Sequence, residues 1–154
     1  MDTIHDIIEH LAARHETLSV AESCTGGLVA TAIVAVPGAS RVFTEGIVAY
    51  ADEVKTARLG VKSSIIERHG AVSAETVRAM LAGLRTDARI AVSGIAGPGG
   101  GSAAKPVGTV VIGVRYLDKE RMITHRFTGD RDAVRQAAVR EAFALLRALL
   151  VPPS

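Results

Sequence analysis

The segment 22–27, Glu-Ser-Cys-Thr-Gly-Gly, offers a hydroxyl nucleophile next to a glycine pair. The residues before it, 17–21, predict a short strand, and residues 28–36 predict a helix of small apolar residues. Ser23 would therefore stand where a strand turns into a helix, whose first N–H groups lack partners and can hold an oxyanion or phosphate. Acyl transfer by Ser23 is one interpretation, and simple capping of the helix by Ser23 or Thr25 is the other.

Cys24 is a rival nucleophile beside Ser23, and the start of a helix would lower the pKa of its thiol. The alternative is that the cysteine is a small buried apolar residue. A nucleophile of either kind needs a base, and His69 and His125 are the histidine candidates outside the first helix. Neither histidine lies at a predicted strand end, so a structural role is favoured for both.

Lys55 is a better candidate for the base. With Asp52 as the predicted N-cap, Lys55 falls in the first turn of a helix, where the positive end of the helix dipole disfavours an ammonium. Residues that are unfavourable for their position in a helix, as a lysine is in the first turn, are enriched at functional sites. Tyr50 ends the preceding strand and is placed to donate or relay a proton beside Lys55. The alternative is an exposed lysine with an aromatic residue at the rim.

Five of the 15 glycines lie between Gly94 and Gly101, directly after Ser93 at the end of an apolar strand. Successive glycine N–H groups can converge on an anion, so this loop is a candidate cradle for one. It matches neither a Walker-A loop nor a dinucleotide fingerprint. Arg131, at the start of the last predicted helix, could supply a fixed positive charge to the same anion or contact the reacting end instead.

The predicted elements alternate between strands and helices up to residue 95, and 107–117 with 121–127 then predict an antiparallel hairpin. This order indicates an α/β fold, a three-layer α/β/α sandwich on a mixed sheet of about five strands. Ligand sites in such sheets lie beyond the carboxyl ends of the parallel strands. Those ends are predicted at residues 22–27, 50–55 and 93–101. The predicted helices cover residues 3–14, 28–36, 52–60, 63–70, 73–85 and 130–151, the last stopped by Pro152-Pro153.

The 154 residues predict a single domain over 1–154, with 48% apolar and 22% charged residues. A net charge of +2 and 3% aromatic residues argue against nucleic acid as a partner. The most apolar stretch, 28–36, is about half the ~20 residues that cross a bilayer, and 1–15 does not resemble a signal peptide. One cysteine indicates a reducing, cytoplasmic setting, and the spacing of His5, His10 and His15 suits no metal.

Six blocks in order resemble the C-terminal domain family of the competence/damage-inducible protein CinA, and the resemblance spans nearly the whole chain. The blocks are Ala21–Gly27, Gly46–Tyr50 with Glu53 and Lys55, His69–Ser73, Ser93–Pro98, Lys105–Val110 and Gly129–Arg131. Stand-alone members of that family are nicotinamide-nucleotide amidases. The resemblance covers only the C-terminal domain of full-length CinA proteins, so we expect none of the activities of their N-terminal domain in the residues 1–154.

The resemblance implies hydrolysis of nicotinamide mononucleotide to nicotinate mononucleotide and ammonia, in pyridine-nucleotide recycling. The family's catalytic serine, tyrosine and lysine fall on Ser23, Tyr50 and Lys55, and no metal or cofactor is expected. The residues expected to bind the nucleotide substrate are Thr25, Gly26, Gly27, Ser93, Gly94, Gly97 and Arg131. Relatives are usually homo-oligomers. A silent nucleotide-binding or regulatory module and an amidase for another small amide are the alternatives.

Overall fold

A computed structural model describes residues 2–151, which form six α-helices and five strands. In chain order they are α1 Thr3–Ala12, β1 Leu18–Glu22, α2 Leu28–Val34, β2 Phe43–Val48, α3 Asp52–Leu59, α4 Ser63–His69, α5 Ala74–Ala82, β3 Ala88–Gly94, β4 Thr109–Tyr116, β5 Lys119–Arg126 and α6 Arg131–Leu150. A short 3-10 helix, Ala39–Arg41, lies between α2 and β2. The predicted stop at Pro152-Pro153 lies outside the described residues.

The five strands form one sheet in the order β2-β1-β3-β4-β5. Strand β1 pairs in parallel with β2 and with β3, whereas β4 is antiparallel to both β3 and β5. One strand thus runs against the other four. The predicted mixed sheet with one antiparallel strand is confirmed.

Helices cover both faces of this sheet. Helix α6 packs on α1, α2 and the strands from one side, and α5 packs with α3 and α4 on the other. Each face has its own apolar core, because alternate residues of a strand point to opposite faces: Ile90 and Val92 enter one core and Ala91 the other. The three-layer sandwich is therefore confirmed. No helix within residues 2–151 combines the length and apolar character needed to cross a membrane.

The helix boundaries show which sequence signals are used. Asp2, Ser73 and Asp130 cap α1, α5 and α6 through their side chains. The predicted cap Asp52 is wrong, since Ala51 precedes α3 and makes no side-chain cap bond, and Lys62 before α4 makes none either. Ala51 and Lys62 both have extended backbone, and each helix begins at the following residue. Asp52 and Ser63 therefore lie inside the first turns of α3 and α4.

Helix α5 also ends three residues earlier than predicted, at Ala82. The next residue, Gly83, lies so close to the carbonyl of Leu59 that a Cβ there would overlap it. The hairpin turn is likewise shorter than predicted, because Tyr116 pairs with Lys119 and only Leu117 and Asp118 lie between them. The contact of Gly83 with the distant Leu59, which no local pattern contains, marks the end of α5.

Candidate active site

Three neighbouring strands bring side chains of the predicted site to one edge of the sheet. Ser23 follows β1, Tyr50 follows β2, and Ser93 lies at the end of β3. Since β2, β1 and β3 are adjacent and parallel, their carboxyl ends meet. A cavity of about 210 Å³ opens there, lined by Ser23, Cys24, Tyr50, Asp52, Lys55, Ala71, Val72, Ser93, Gly94, Ala96 and Arg131.

Ser23 is held by its backbone and keeps its hydroxyl free. Its N–H donates to the carbonyl of Val92 at 3.0 Å, which ties the residue to β3. Its carbonyl accepts a bond from the N–H of Gly26 at 3.0 Å and so closes the turn. Its Oγ has no hydrogen bond with any residue from 2 to 151, and the residue is 8% exposed at the cavity. The hydroxyl is therefore available to a substrate.

The start of α2 does not offer free amides to the cavity, contrary to expectation. Helix α2 begins only at Leu28, and the buried carboxylate of Glu22 accepts bonds from the N–H groups of Val29 at 2.9 Å and Ala30 at 3.1 Å. Thr25 also donates its hydroxyl to Glu22, at 2.6 Å. A side chain of the protein thus occupies the anion site of this helix, and the oxyanion expectation for α2 is wrong.

Three amides of the turn before α2 are left without an oxygen acceptor in the protein. Within residues 2–151, the N–H groups of Cys24, Thr25 and Gly27 donate to no backbone or side-chain oxygen. Gly26 and Leu28, by contrast, donate to Ser23 and Thr25 in the same turn. The free donors next to Ser23 therefore belong to the turn itself.

Cys24 lies beside Ser23 but in different surroundings. Burial raises the pKa of its thiol from the ordinary 9.0 to about 11, outweighing the nearby positive charge of Arg135. The expectation that a helix start would lower this pKa is wrong, because the thiol is desolvated and α2 begins four residues later. At neutral pH Cys24 is a protonated, weak nucleophile.

Lys55 projects into the base of the cavity from the first turn of α3. Only 1% of the residue is exposed, and its Nζ donates to the carbonyl of Tyr50 at 2.9 Å. The same Nζ lies 3.5 Å from Oδ1 of Asp52. Lys55 is thus a buried amine held between a carbonyl and a carboxylate at the wall of the cavity.

Tyr50 and Arg131 meet at the rim. Tyr50 is 61% exposed, and its hydroxyl oxygen accepts a bond from Nη2 of Arg131 at 3.3 Å. Nη1 of Arg131 donates to the carbonyl of Gly97 at 2.8 Å. Arg131 therefore links the tyrosine to the glycine-rich loop, and the tyrosine hydroxyl proton stays free for another acceptor.

Of the predicted substrate-binding residues, Ser93, Gly94 and Arg131 line the cavity. Gly94 is required there, since a Cβ would lie 2.7 Å from Val110 and 3.1 Å from the sulfur of Cys24. Four others are not in its wall: Thr25 is buried on Glu22, Gly97 lies behind Arg131, and Gly26 and Gly27 lead into α2. His69 and His125 are also absent from the wall.

Three residues with a role at the site were missed by sequence reasoning. Glu22 caps α2, Asp52 pairs with Lys55, and Arg135 donates to the carbonyls of Cys24 and Thr25. A helical spacing of four from Arg131 was a signal for Arg135, because such residues share a helix face. In the described part of the chain, no three His, Cys, Asp or Glu side chains are grouped to hold a metal ion.

A family model described as the CinA C-terminal domain matches residues 2–150. The chain belongs to the CinA C-terminal domain family. Curated CinA-like proteins of Fusobacterium nucleatum and Thermotoga maritima are 46% identical over 149 residues and 43% identical over 148 residues. These matches cover 97% and 94% of this chain but 37% and 36% of those relatives. The chain thus spans about a third of their length.

Solved CinA structures agree with the fold over nearly their whole chains. A CinA superfamily protein from Klebsiella pneumoniae has a TM-score of 0.90 at 36% identity, covering 97% of this chain and 98% of that one. The competence/damage inducible protein CihA from Agrobacterium tumefaciens has a TM-score of 0.92 at 38% identity, covering 96% and 93%. The α/β/α domain described here is therefore shared with these CinA family structures.

Proposed function

We propose that this protein hydrolyses the carboxamide of nicotinamide mononucleotide, giving nicotinate mononucleotide and ammonia in pyridine-nucleotide recycling. The observation that carries the proposal is the meeting of Ser23, Tyr50 and Lys55 at one cavity, from three different segments of the chain. A free hydroxyl, a buried amine and a phenol within one wall are the parts of a serine amidase with a lysine base. The proposed reaction uses no metal or cofactor and takes place in the cytoplasm, in a homo-oligomer.

In the first half of the reaction, neutral Lys55 accepts the proton of Ser23, directly or through Tyr50. Oγ of Ser23 forms a bond to the carboxamide carbon, and the electron pair of the C=O bond moves onto oxygen. The C–N bond then breaks as the nitrogen receives a proton, and ammonia leaves. Arg131 donates to the Tyr50 oxygen, so the phenol keeps its own proton for this transfer.

In the second half, water attacks the acyl-enzyme ester and loses a proton along the same path. The ester bond to Ser23 breaks, the serine regains its proton, and nicotinate mononucleotide is released. The net change is one water consumed and one ammonia formed. The pyridinium ring is already cationic, which makes the carbonyl carbon attached to it more electrophilic in both halves of the reaction.

The amide of Cys24 is the proposed oxyanion donor. Cys24 lines the cavity beside Ser23 and its N–H has no oxygen acceptor in the described chain, and preorganised backbone donors stabilise charge that develops in the transition state. This assignment replaces the amides of α2, which Glu22 occupies.

The size of the cavity favours binding of the nicotinamide end of the nucleotide inside it. Its volume of about 210 Å³ lies below the roughly 300–1,000 Å³ of pockets that enclose a whole drug-sized ligand. We therefore place the nicotinamide ring inside and the ribose phosphate outside, toward the glycine-rich loop after Gly94. Backbone N–H groups of that loop are the proposed phosphate receivers, with Arg131 at its edge.

The deciding experiment measures ammonia release by the purified protein. Nicotinamide mononucleotide is compared with nicotinamide riboside, nicotinamide and glutamine, and Ser23→Ala serves as the inactive control. We expect the mononucleotide to be the best substrate, because its remote phosphate supplies binding energy that orients the carboxamide. Release from glutamine alone would indicate an amidase for another amide, and nucleotide binding without release would indicate a silent module.

A further inference from the structure

Two side chains outside the proposed reaction hold the turn that carries Ser23. Arg135, on α6, donates from Nε to the carbonyl of Cys24 at 3.0 Å and from Nη2 to that of Thr25 at 3.2 Å. On the other side Glu22 accepts bonds from the Thr25 hydroxyl and from the first amides of α2. The guanidinium thus holds the peptide units on both sides of Thr25, and the carboxylate holds the Thr25 side chain and the start of α2.

The bond from Arg135 to Cys24 also orients an N–H group. The carbonyl of Cys24 and the N–H of Thr25 belong to one trans peptide unit, so they point in opposite directions. Arg135 therefore keeps the N–H of Thr25 turned away from its own guanidinium. Thr25 is 0% exposed, and this N–H has no acceptor within residues 2–151. The bond from Arg135 therefore fixes the rotation of the peptide unit between Cys24 and Thr25.

We propose that Arg135 is a positioning residue for the turn that carries Ser23. Its two hydrogen bonds to the Cys24 and Thr25 carbonyls fix the peptide units on both sides of Thr25, and so hold the Ser23 hydroxyl and the Cys24 N–H at the cavity, where the oxyanion forms when Ser23 attacks. The inference rests on the proposed function and deepens it by naming what holds the turn. Arg135 is not part of the cavity wall, so it acts through the turn and does not touch the substrate.

The geometry explains why an arginine stands at this position. The planar guanidinium presents Nε and Nη2 along one edge, which matches two carbonyls that belong to consecutive residues. Its remaining nitrogen, Nη1, faces Asp132 at 3.9 Å. A lysine has one charged nitrogen on a flexible stem and cannot fix both peptide units in the same way.

The first test is kinetic and uses Arg135→Ala and Arg135→Lys with nicotinamide mononucleotide. Misplacement of a catalytic group by about 1 Å can lower the rate roughly 10²-fold, and we expect a fall of that order in kcat for Arg135→Ala with KM changed less than about threefold. Arg135→Lys should recover part of the loss. Added methylguanidinium should restore kcat of Arg135→Ala severalfold, which a variant that is merely less stable would not show.

Arg147→Ala is the matched control. Arg147 lies on the same helix and donates from Nε to Asp6 at 2.9 Å, far along α6 from the turn. Its loss should lower the thermal midpoint without changing kcat. An unchanged kcat in Arg135→Ala, or an effect confined to KM, would overturn the positioning role.

The second test does not depend on the substrate. The orientation of the peptide unit between Cys24 and Thr25 is compared in crystal structures of the wild-type protein and of Arg135→Ala. If the alanine variant does not fold, Arg135→Gln is used in its place. We expect this peptide to rotate when the guanidinium is lost. If the wild-type protein releases no ammonia from nicotinamide mononucleotide, the proposed function fails, and an unrotated peptide would separately remove the role of Arg135.

Discussion

The side chain of Lys55 donates to the backbone carbonyl of Tyr50, with 2.9 Å between Nζ and the oxygen. The bond ties the proposed base to the main chain of the proposed proton donor before any substrate binds. Asp52 adds a carboxylate 3.5 Å from the same nitrogen. Because a buried polar group is costly unless it is hydrogen-bonded, these two acceptors explain how a lysine is kept inside the site.

Replacing Lys55 tests whether it acts as a base or only as a charge. Lys55→Arg keeps the positive charge but cannot give up its proton at neutral pH, so it should be nearly as inactive as Lys55→Ala. Loss of a general base lowers kcat by roughly 10²- to 10⁴-fold, and we expect both variants in that range in an ammonia-release assay. Lys119→Ala, at an exposed lysine, is the control. Substantial activity in Lys55→Arg would assign Lys55 a purely electrostatic role.

The identity of the nucleophile is tested by two neighbouring substitutions. Ser23→Ala should abolish nearly all ammonia release, since the free Oγ at the cavity is lost. Cys24→Ala should keep most of the activity, because the Cys24 thiol stays protonated at neutral pH. Circular dichroism checks that both variants fold. Loss of activity in Cys24→Ala alone would reverse the assignment.

Cys24 also predicts a pH dependence of stability. The folded protein keeps the thiol protonated up to its raised pKa of about 11, whereas the unfolded chain ionises it near 9.0. Between these values the unfolded state binds fewer protons, so stability falls as the pH rises, by up to about 1.4 kcal/mol per pH unit. Urea unfolding of the wild-type protein and Cys24→Ala across this range measures the difference. Parallel curves would show that burial does not raise this pKa.

Arg131→Ala distinguishes a phosphate receiver from a residue that orients Tyr50. Since Arg131 already donates to the Tyr50 hydroxyl and the Gly97 carbonyl, we expect its loss to disturb the reacting end. The values of kcat/KM for nicotinamide mononucleotide and its riboside should therefore fall by similar factors, about tenfold for the loss of a positioning contact. A loss restricted to the mononucleotide would instead assign the Arg131 guanidinium to the phosphate.

Much of the fold followed from local patterns. Period-two and period-3.6 hydrophobic spacing predicted all five strands and six helices within a few residues, because burial on a sheet or helix face imposes those periods. The ends of elements were less predictable. Gly83 ends α5 where it meets Leu59, a contact between segments that are far apart in the sequence.

The sequence by itself determined which chemical groups stand at the strand ends: the Ser23 hydroxyl, the Tyr50 phenol and the Lys55 amine, each directly after or near a predicted strand. Only the tertiary structure decided which partners they have. Glu22 takes the amides of α2, Arg135 reaches the Cys24 carbonyl across 111 residues, and Arg131 reaches Tyr50 across 81. Hydrogen bonds and burial depend on distance in space, so a free amide, a desolvated thiol and an oriented phenol cannot be derived from neighbours in the chain.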